Sequence, residues 1–139
     1  MRKIDYIIIH CSATKEGIDW KAKDIDQWHK QRGFNKIGYH YVIDLDGTVE
    51  MGRDENEVGA HCVGYNKTSI GICYVGGLDR NLNPKDTRTD KQKEALWNLV
   101  IKLLAKYPNA NVYGHYKFAK KACPCFNVEK EFENVNLKR

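Results

Sequence analysis

The sequence predicts an α/β fold: a mixed central β-sheet flanked by helices, in one domain spanning residues 1–139. Three observations carry this reading. Short apolar runs rich in β-branched residues recur along the chain, at strand rather than helix length. Two other segments repeat their apolar residues with the helical period. The two kinds follow one another as β-α-β-β-β-α-β-α, an order that suits a sheet with helices packed against it.

The run "IDYIIIH", residues 4–10, is continuously apolar and suits a strand buried on both faces, ending at His10. In "DWKAKDIDQWHKQRG", Asp19 is placed as N-cap, Ile25 and Trp28 share a face, and Gly33 suits the position after the last turn. That predicts a helix over about residues 20–32. "YHYVIDLDGTVEMGR" reads as a hairpin turning at Asp46-Gly47. "TSIGICYVGG", residues 68–77, is a strand with Ile70, Ile72 and Tyr74 on one side. "LDRNLNPKDTRTD" is a polar loop without a period. In "TDKQKEALWNLVIKLLAKYP", Thr89 and Gln92 form a capping box, and Pro108 ends the helix. Its apolar face runs through Leu96, Leu99, Val100, Leu103, Leu104 and Tyr107. "NVYGH" is a short strand ending at His115, and Asn127 caps a last short helix.

At 42% apolar and 29% charged residues, the chain has the composition of a folded globular protein rather than a disordered one. Its net charge of +5 suits an anionic partner. No nucleic-acid motif accompanies that charge and the lysines are scattered, so no nucleic-acid partner is expected; an anionic cell-wall polymer fits as well. No apolar run is long enough to span a membrane. The basic start "MRKIDYIIIHCSA" has only about four apolar residues in a row, short of the roughly 7–15 of a signal segment. The expectation is a monomeric protein made and kept in the cytoplasm unless another system moves it. Five cysteines, an odd number without a CxxC pair, argue against a disulfide framework or a zinc ribbon.

Two histidines lie at strand ends, His10 and His115, where α/β sheets build their sites. Cys123 follows on a loop stiffened by Pro124. Together the three could hold zinc and leave a fourth tetrahedral position open, the catalytic arrangement. The residues alone leave this set open. A lone histidine at a strand end is most often structural, and the spacing 10…115…123 forms no local motif.

Several stretches then resemble one family in order: "IIIHCSAT", "QWHKQRGF", "IGYHYVIDLDGTVEMGRDENEVGAHCVGYNKTSIGICYVGG" and "GHYKFAKKACPCF". They are similar to the zinc-dependent N-acetylmuramoyl-L-alanine amidases. More closely, they resemble the small phage lysozyme-type enzymes related to the peptidoglycan recognition proteins. The resemblance implies zinc as cofactor, peptidoglycan as substrate, and His10, His115 and Cys123 as the metal ligands. It implies Tyr39 and Lys121 as catalytic residues, and more weakly His61 and Asn66 as substrate contacts. It also implies an endolysin that reaches the wall once another protein opens the membrane. Rival readings are a non-catalytic peptidoglycan-binding relative, a cellular wall-recycling amidase and a Cys–His hydrolase. His29 is expected at the surface or its boundary. Strand parity sets His40 opposite Tyr39 and Cys11 opposite His10. Cys62 and Cys73 read as small buried apolar residues, Cys125 as a bystander, and Lys117 and Lys120 as solvent-facing. Trp20, Trp28 and Trp97 read as core or groove edge.

Overall fold

The computed structural model describes residues 2–136; Met1 and residues 137–139 of the expected domain lie outside them. The central sheet has five strands: β1 (Tyr6–Cys11), β3 (Tyr41–Ile43), β4 (Val49–Met51), β5 (Ser69–Tyr74) and β7 (Asn111–Gly114). Their spatial order is β4-β3-β5-β1-β7. β4 runs antiparallel on the edge and the other four are mutually parallel. β2 (Thr14–Lys15) and β6 (Gly77–Leu78) make a separate two-stranded ribbon. Among the described residues, three α-helices complete the fold: α1 (Ala22–Gln31), α2 (Asp90–Lys106) and α3 (Val128–Glu131). The expected mixed sheet with flanking helices is therefore present; only the two-residue strands were without a signal.

The apolar isoleucine run becomes β1 because both faces of that strand are covered. Ile7, Ile9 and Cys11 join Ile70, Ile72, Tyr74 and Val112 under α2 and α3. The opposite face packs Val42, Cys73 and Val75 against Ile25 of α1. Strand parity thus places Ile70, Ile72 and Tyr74 on one side, as expected. The hairpin turns at Gly47, whose φ of +87° suits glycine, with Asp46 Oδ1 accepting from the Thr48 N–H at 2.9 Å. α1 begins later than expected. Lys21, not Asp19, is the N-cap, and the Asp24 carboxylate accepts the Lys21 N–H at 2.8 Å; Asp19 instead pairs with the Lys21 ammonium. A carboxylate inside the first turn satisfies an orphan donor as well as one before it.

α2 follows the capping box read from sequence: Thr89 Oγ1 accepts from the Gln92 N–H, and the Gln92 side chain accepts from the Thr89 N–H. The Gln92 amide also donates to the carbonyls of Ile43 and Val75, pinning the helix to two strands. Behind it, Trp97 stacks on Phe132 at 5.3 Å between centroids, which places Trp97 on the α3 side.

Arg88 clamps the C-terminal segment. Its side chain is 2% exposed and ion-pairs with Asp86 at 2.9 Å and Glu131 at 2.8 Å. Its guanidinium lies 3.4 Å over the Phe126 ring. Removing one partner of such a set leaves charges stranded. Arg88→Ala is expected to cost about 3 kcal/mol, the low end for a buried pair because both carboxylates are about a third exposed and can rehydrate. Urea unfolding measures it; a loss below about 1 kcal/mol would remove the clamp from the account.

Asp44 closes β3, 2% exposed. Lys21 Nζ lies 3.6 Å from its Oδ2, and among the described residues no donor reaches its Oδ1. The Glu50 carboxylate is its neighbour. Burial, reinforced by Glu50, pushes the Asp44 pKa up to about 7. A proton held more tightly in the folded state stabilises it most at low pH, so this group's contribution is lost as pH rises from about 4 to about 7. Asp44→Asn should therefore flatten the decline of Tm between pH 5 and pH 8. An unchanged slope in the variant would show that Asp44 does not carry that proton.

Candidate metal centre and its cleft

β1 and β7 are parallel neighbours with Ile9 opposite Gly114. The next residue of each, His10 and His115, therefore emerges at the same edge, and their rings lie 4.4 Å apart. Gly114 ends the strand and His115 opens a 3-10 turn over His115–Lys117. The loop that follows returns Cys123 to the same spot. The Tyr116 N–H donates to the Cys123 carbonyl at 2.9 Å, and the Tyr74 hydroxyl donates to the Pro124 carbonyl at 2.6 Å. The Cys11 N–H donates to Cys123 Sγ at 3.2 Å. One donor atom from each of His10, His115 and Cys123 then lies within 4.8 Å of the others, and no other such group is found among the described residues.

That triangle suits a divalent metal. Tetrahedral zinc bonds of about 2.0–2.3 Å separate donor atoms by less than 4 Å, so little movement is needed. Both imidazoles are set up to be neutral. Burial, then His61, His115 and Lys121, drives the His10 pKa well below its ordinary value. Burial and the Lys121 charge lower that of His115. Neutral nitrogen is the form that ligates metal.

The triangle opens into a cleft of about 360 Å³, lined by Arg32, Phe34, Tyr39, His61, His115 and Lys121 among others. A slightly larger hollow of about 430 Å³ lies along α1 beside Trp20 and Trp28 but contains none of the converging ligands. The metal-ligating chemistry identifies the smaller cleft as the site. Tyr39 approaches His10 at 5.0 Å between ring centroids. Burial raises its pKa well above the ordinary phenol value, and its hydroxyl pairs with the Cys73 thiol. It therefore keeps its proton and acts as a donor. Lys121 is exposed at the cleft edge; Lys117 and Lys120 are exposed too, but do not line the cleft.

The other singled-out residues sort by contact. His61 Nδ1 is 2.8 Å from His10 Nε2, and His61 Nε2 is 3.1 Å from Ser69 Oγ. Burial, with His40 and His115 nearby, holds the His61 pKa well below its ordinary value. Asn66 lines the cleft, but its Oδ1 already accepts the N–H groups of His61 and Cys62, each at 2.9 Å. His29 is not at the surface: it is 3% exposed, and its Nδ1 accepts the Gly38 N–H at 2.9 Å. It lies one turn beyond Ile25 on the same helical face, the signal that places it inside. His40 is fully buried, accepts the Gly71 N–H at Nδ1 and lies 2.8 Å from the Glu57 carbonyl through Nε2. Cys62 and Cys73 are buried as expected. Cys11 points to the α2 face, but its free thiol hydrogen-bonds with those of Cys123 and Cys125, so it supports the loop from behind.

A parallel sheet whose strand ends gather two imidazoles and a thiol beside an open cleft has the donor set and the placement of a catalytic metal site. Residues 1–126 match the family model described as N-acetylmuramoyl-L-alanine amidase, and the chain belongs to that family. It is 45% identical over 131 residues to the endolysin of Klebsiella phage KP32, covering 94% of this chain and 87% of that protein. It is likewise 45% identical over 133 residues to the endolysin of Escherichia phage T7, covering 96% and 88% respectively. Among solved structures, the amidase LysC from Clostridium intestinale URNW superposes with a TM-score of 0.83 at 31% identity, covering 99% of this chain and 88% of that one.

Proposed function

We propose that this chain is a zinc-dependent N-acetylmuramoyl-L-alanine amidase that cleaves the amide between N-acetylmuramic acid and L-alanine in peptidoglycan, and that it serves a phage or prophage as an endolysin. The observation that carries the reading is the convergence of His10, His115 and Cys123, with His115 lining a cleft that also holds Tyr39 and Lys121. Two imidazoles and a thiolate would hold zinc with one position left for chemistry. When bound there, zinc supplies Lewis acidity toward the substrate carbonyl and toward a water molecule.

The remaining work falls to the chain's own groups. The Lys121 ammonium offsets the negative charge that develops on the scissile carbonyl oxygen. The Tyr39 phenol, kept protonated by burial, donates a hydrogen bond to the same region once it exchanges its Cys73 partner. Both carry a proton that the leaving amine can take. Asn66 holds the His61 loop rather than presenting its own carbonyl to substrate.

The relatives' endolysin role favours a phage enzyme over wall recycling, and the complete ligand set favours catalysis over binding alone. We take the enzyme to act as a monomer on the wall after release from the cytoplasm. No helix among the described residues is long and apolar enough to cross a membrane, which fits a separate release step. Digestion of purified peptidoglycan tests the chemistry. New L-alanine amino termini without new reducing sugar ends are expected, with activity lost to chelator and restored by Zn²⁺. New reducing ends would indicate a glycosidase, and chelator-resistant activity would indicate the Cys–His hydrolase.

A further inference from the structure

We propose that His61 is a positioning residue for the metal site, orienting His10 through a hydrogen-bonded chain that ends on Ser69, rather than a substrate contact. The proposal rests on the zinc reading above. It starts from the 2.8 Å approach of His10 Nε2 to His61 Nδ1 and the 3.1 Å approach of His61 Nε2 to Ser69 Oγ. With Nε2 of His10 engaged, Nδ1 is the nitrogen left for a metal. A ligating Nδ1 carries no proton, so Nε2 must carry it and donate to His61 Nδ1. His61 then has its own proton on Nε2 and donates to Ser69 Oγ. One direction of donation satisfies every nitrogen in the chain.

The surroundings are shaped to keep the His61 ring in place. The ring lies flat on Gly71 of β5, where a Cβ would meet it at 2.7 Å. On another side Gly59 approaches, where a Cβ would meet the ring at 2.8 Å. Side chains at either glycine would push the ring out of line with His10. The backbone is tied as well: Asn66 Oδ1 takes the N–H groups of both His61 and Cys62. Ser69, the far end, is fully buried at the start of β5. Although His61 lines the cleft, both of its nitrogens are already engaged by protein groups, His10 and Ser69. Partners of this kind fix the tautomer and ring orientation of a metal-ligating histidine, and their removal typically weakens metal binding 10–100-fold.

The test compares the wild type with His61→Leu and His61→Asn, the latter able to present an oxygen to His10. Zinc affinity is measured by competition with a chromogenic chelator. His61→Leu is expected to raise the zinc Kd by about 10–100-fold, and His61→Asn to recover most of that loss. In the metal-free wild type, nitrogen-15 NMR should find His10 as the Nε2–H tautomer, a preference lost in His61→Leu. Unchanged zinc affinity and tautomer in His61→Leu overturn the proposal, and a higher KM for peptidoglycan at full zinc affinity would return His61 to the substrate side. Should His61→Leu fail to fold by circular dichroism, Ser69→Ala removes the end of the chain instead. A loss of zinc affinity there supports the relay, and wild-type affinity overturns it. A wild type that binds no zinc would sink the metal reading of function, while the His10 tautomer in the metal-free protein would still decide the relay.

Discussion

Cys123→Ala is expected to remove stoichiometric zinc and to lower amidase activity by more than the roughly 10²-fold that loss of a merely supporting partner costs. The reason is the donor count. With Cys123 gone, two neutral imidazoles remain, and the thiolate that offsets one unit of metal charge is absent. No substitute is in place: the next sulfurs, Cys11 and Cys125, belong to the pocket behind the loop, where Cys125 Sγ lies 3.3 Å from the Gly77 carbonyl. Cys125→Ser is therefore the control and should keep zinc and activity. Zinc content by mass spectrometry, read beside peptidoglycan digestion, decides the matter. A Cys123→Ala protein that retains one tightly bound zinc would dismantle the proposed ligand set.

Lys121→Ala should behave differently, with zinc retained and kcat reduced by about 10²–10³-fold, the usual loss when a group facing the developing oxyanion is removed. Lys121 lines the cleft at its edge, whereas Lys120, its neighbour, does not. Lys120→Ala should thus stay close to wild type. Tyr39→Phe is expected to fall in the same range as Lys121→Ala, because it deletes the phenolic donor while leaving the ring against His10. If either variant loses zinc along with activity, its role is in holding the site, and the division between ligands and charge-stabilising groups must be redrawn.

The elements with strong local signals were legible. The Thr89–Gln92 capping box and the Asp46-Gly47 turn depend on neighbours within a few residues, and both appear as read. The residues alone leave the grouping of His10, His115 and Cys123 open, and only the family resemblance implies it. His10 and His115 are joined by strand register, which no local spacing reveals. What escaped notice has a physical cause in each case. The β2–β6 ribbon consists of two-residue strands, too short to show a period. His29 reads as a surface residue by its polarity, yet it lies one turn beyond Ile25 on the buried face. The start of α1 is ambiguous in the sequence because Asp19 and Asp24 can both serve a helix N-terminus, and only the fold chooses. The role of His61 depends on a partner 51 residues away and on two glycines that clear space for its ring.

The strand order β4-β3-β5-β1-β7 also governs when the enzyme can come into being. β1 leaves the ribosome first but lies between β5 and β7, strands that begin at residues 69 and 111. It must wait unpaired until β5 follows, more than 50 residues later, and its second neighbour comes later still, so the sheet is built from long-range pairings. A chain stopped after α2 contains His10 and Tyr39 but neither of the other two ligands. The three candidate ligands can thus come together only after β7 and the loop that carries Cys123 have joined the sheet.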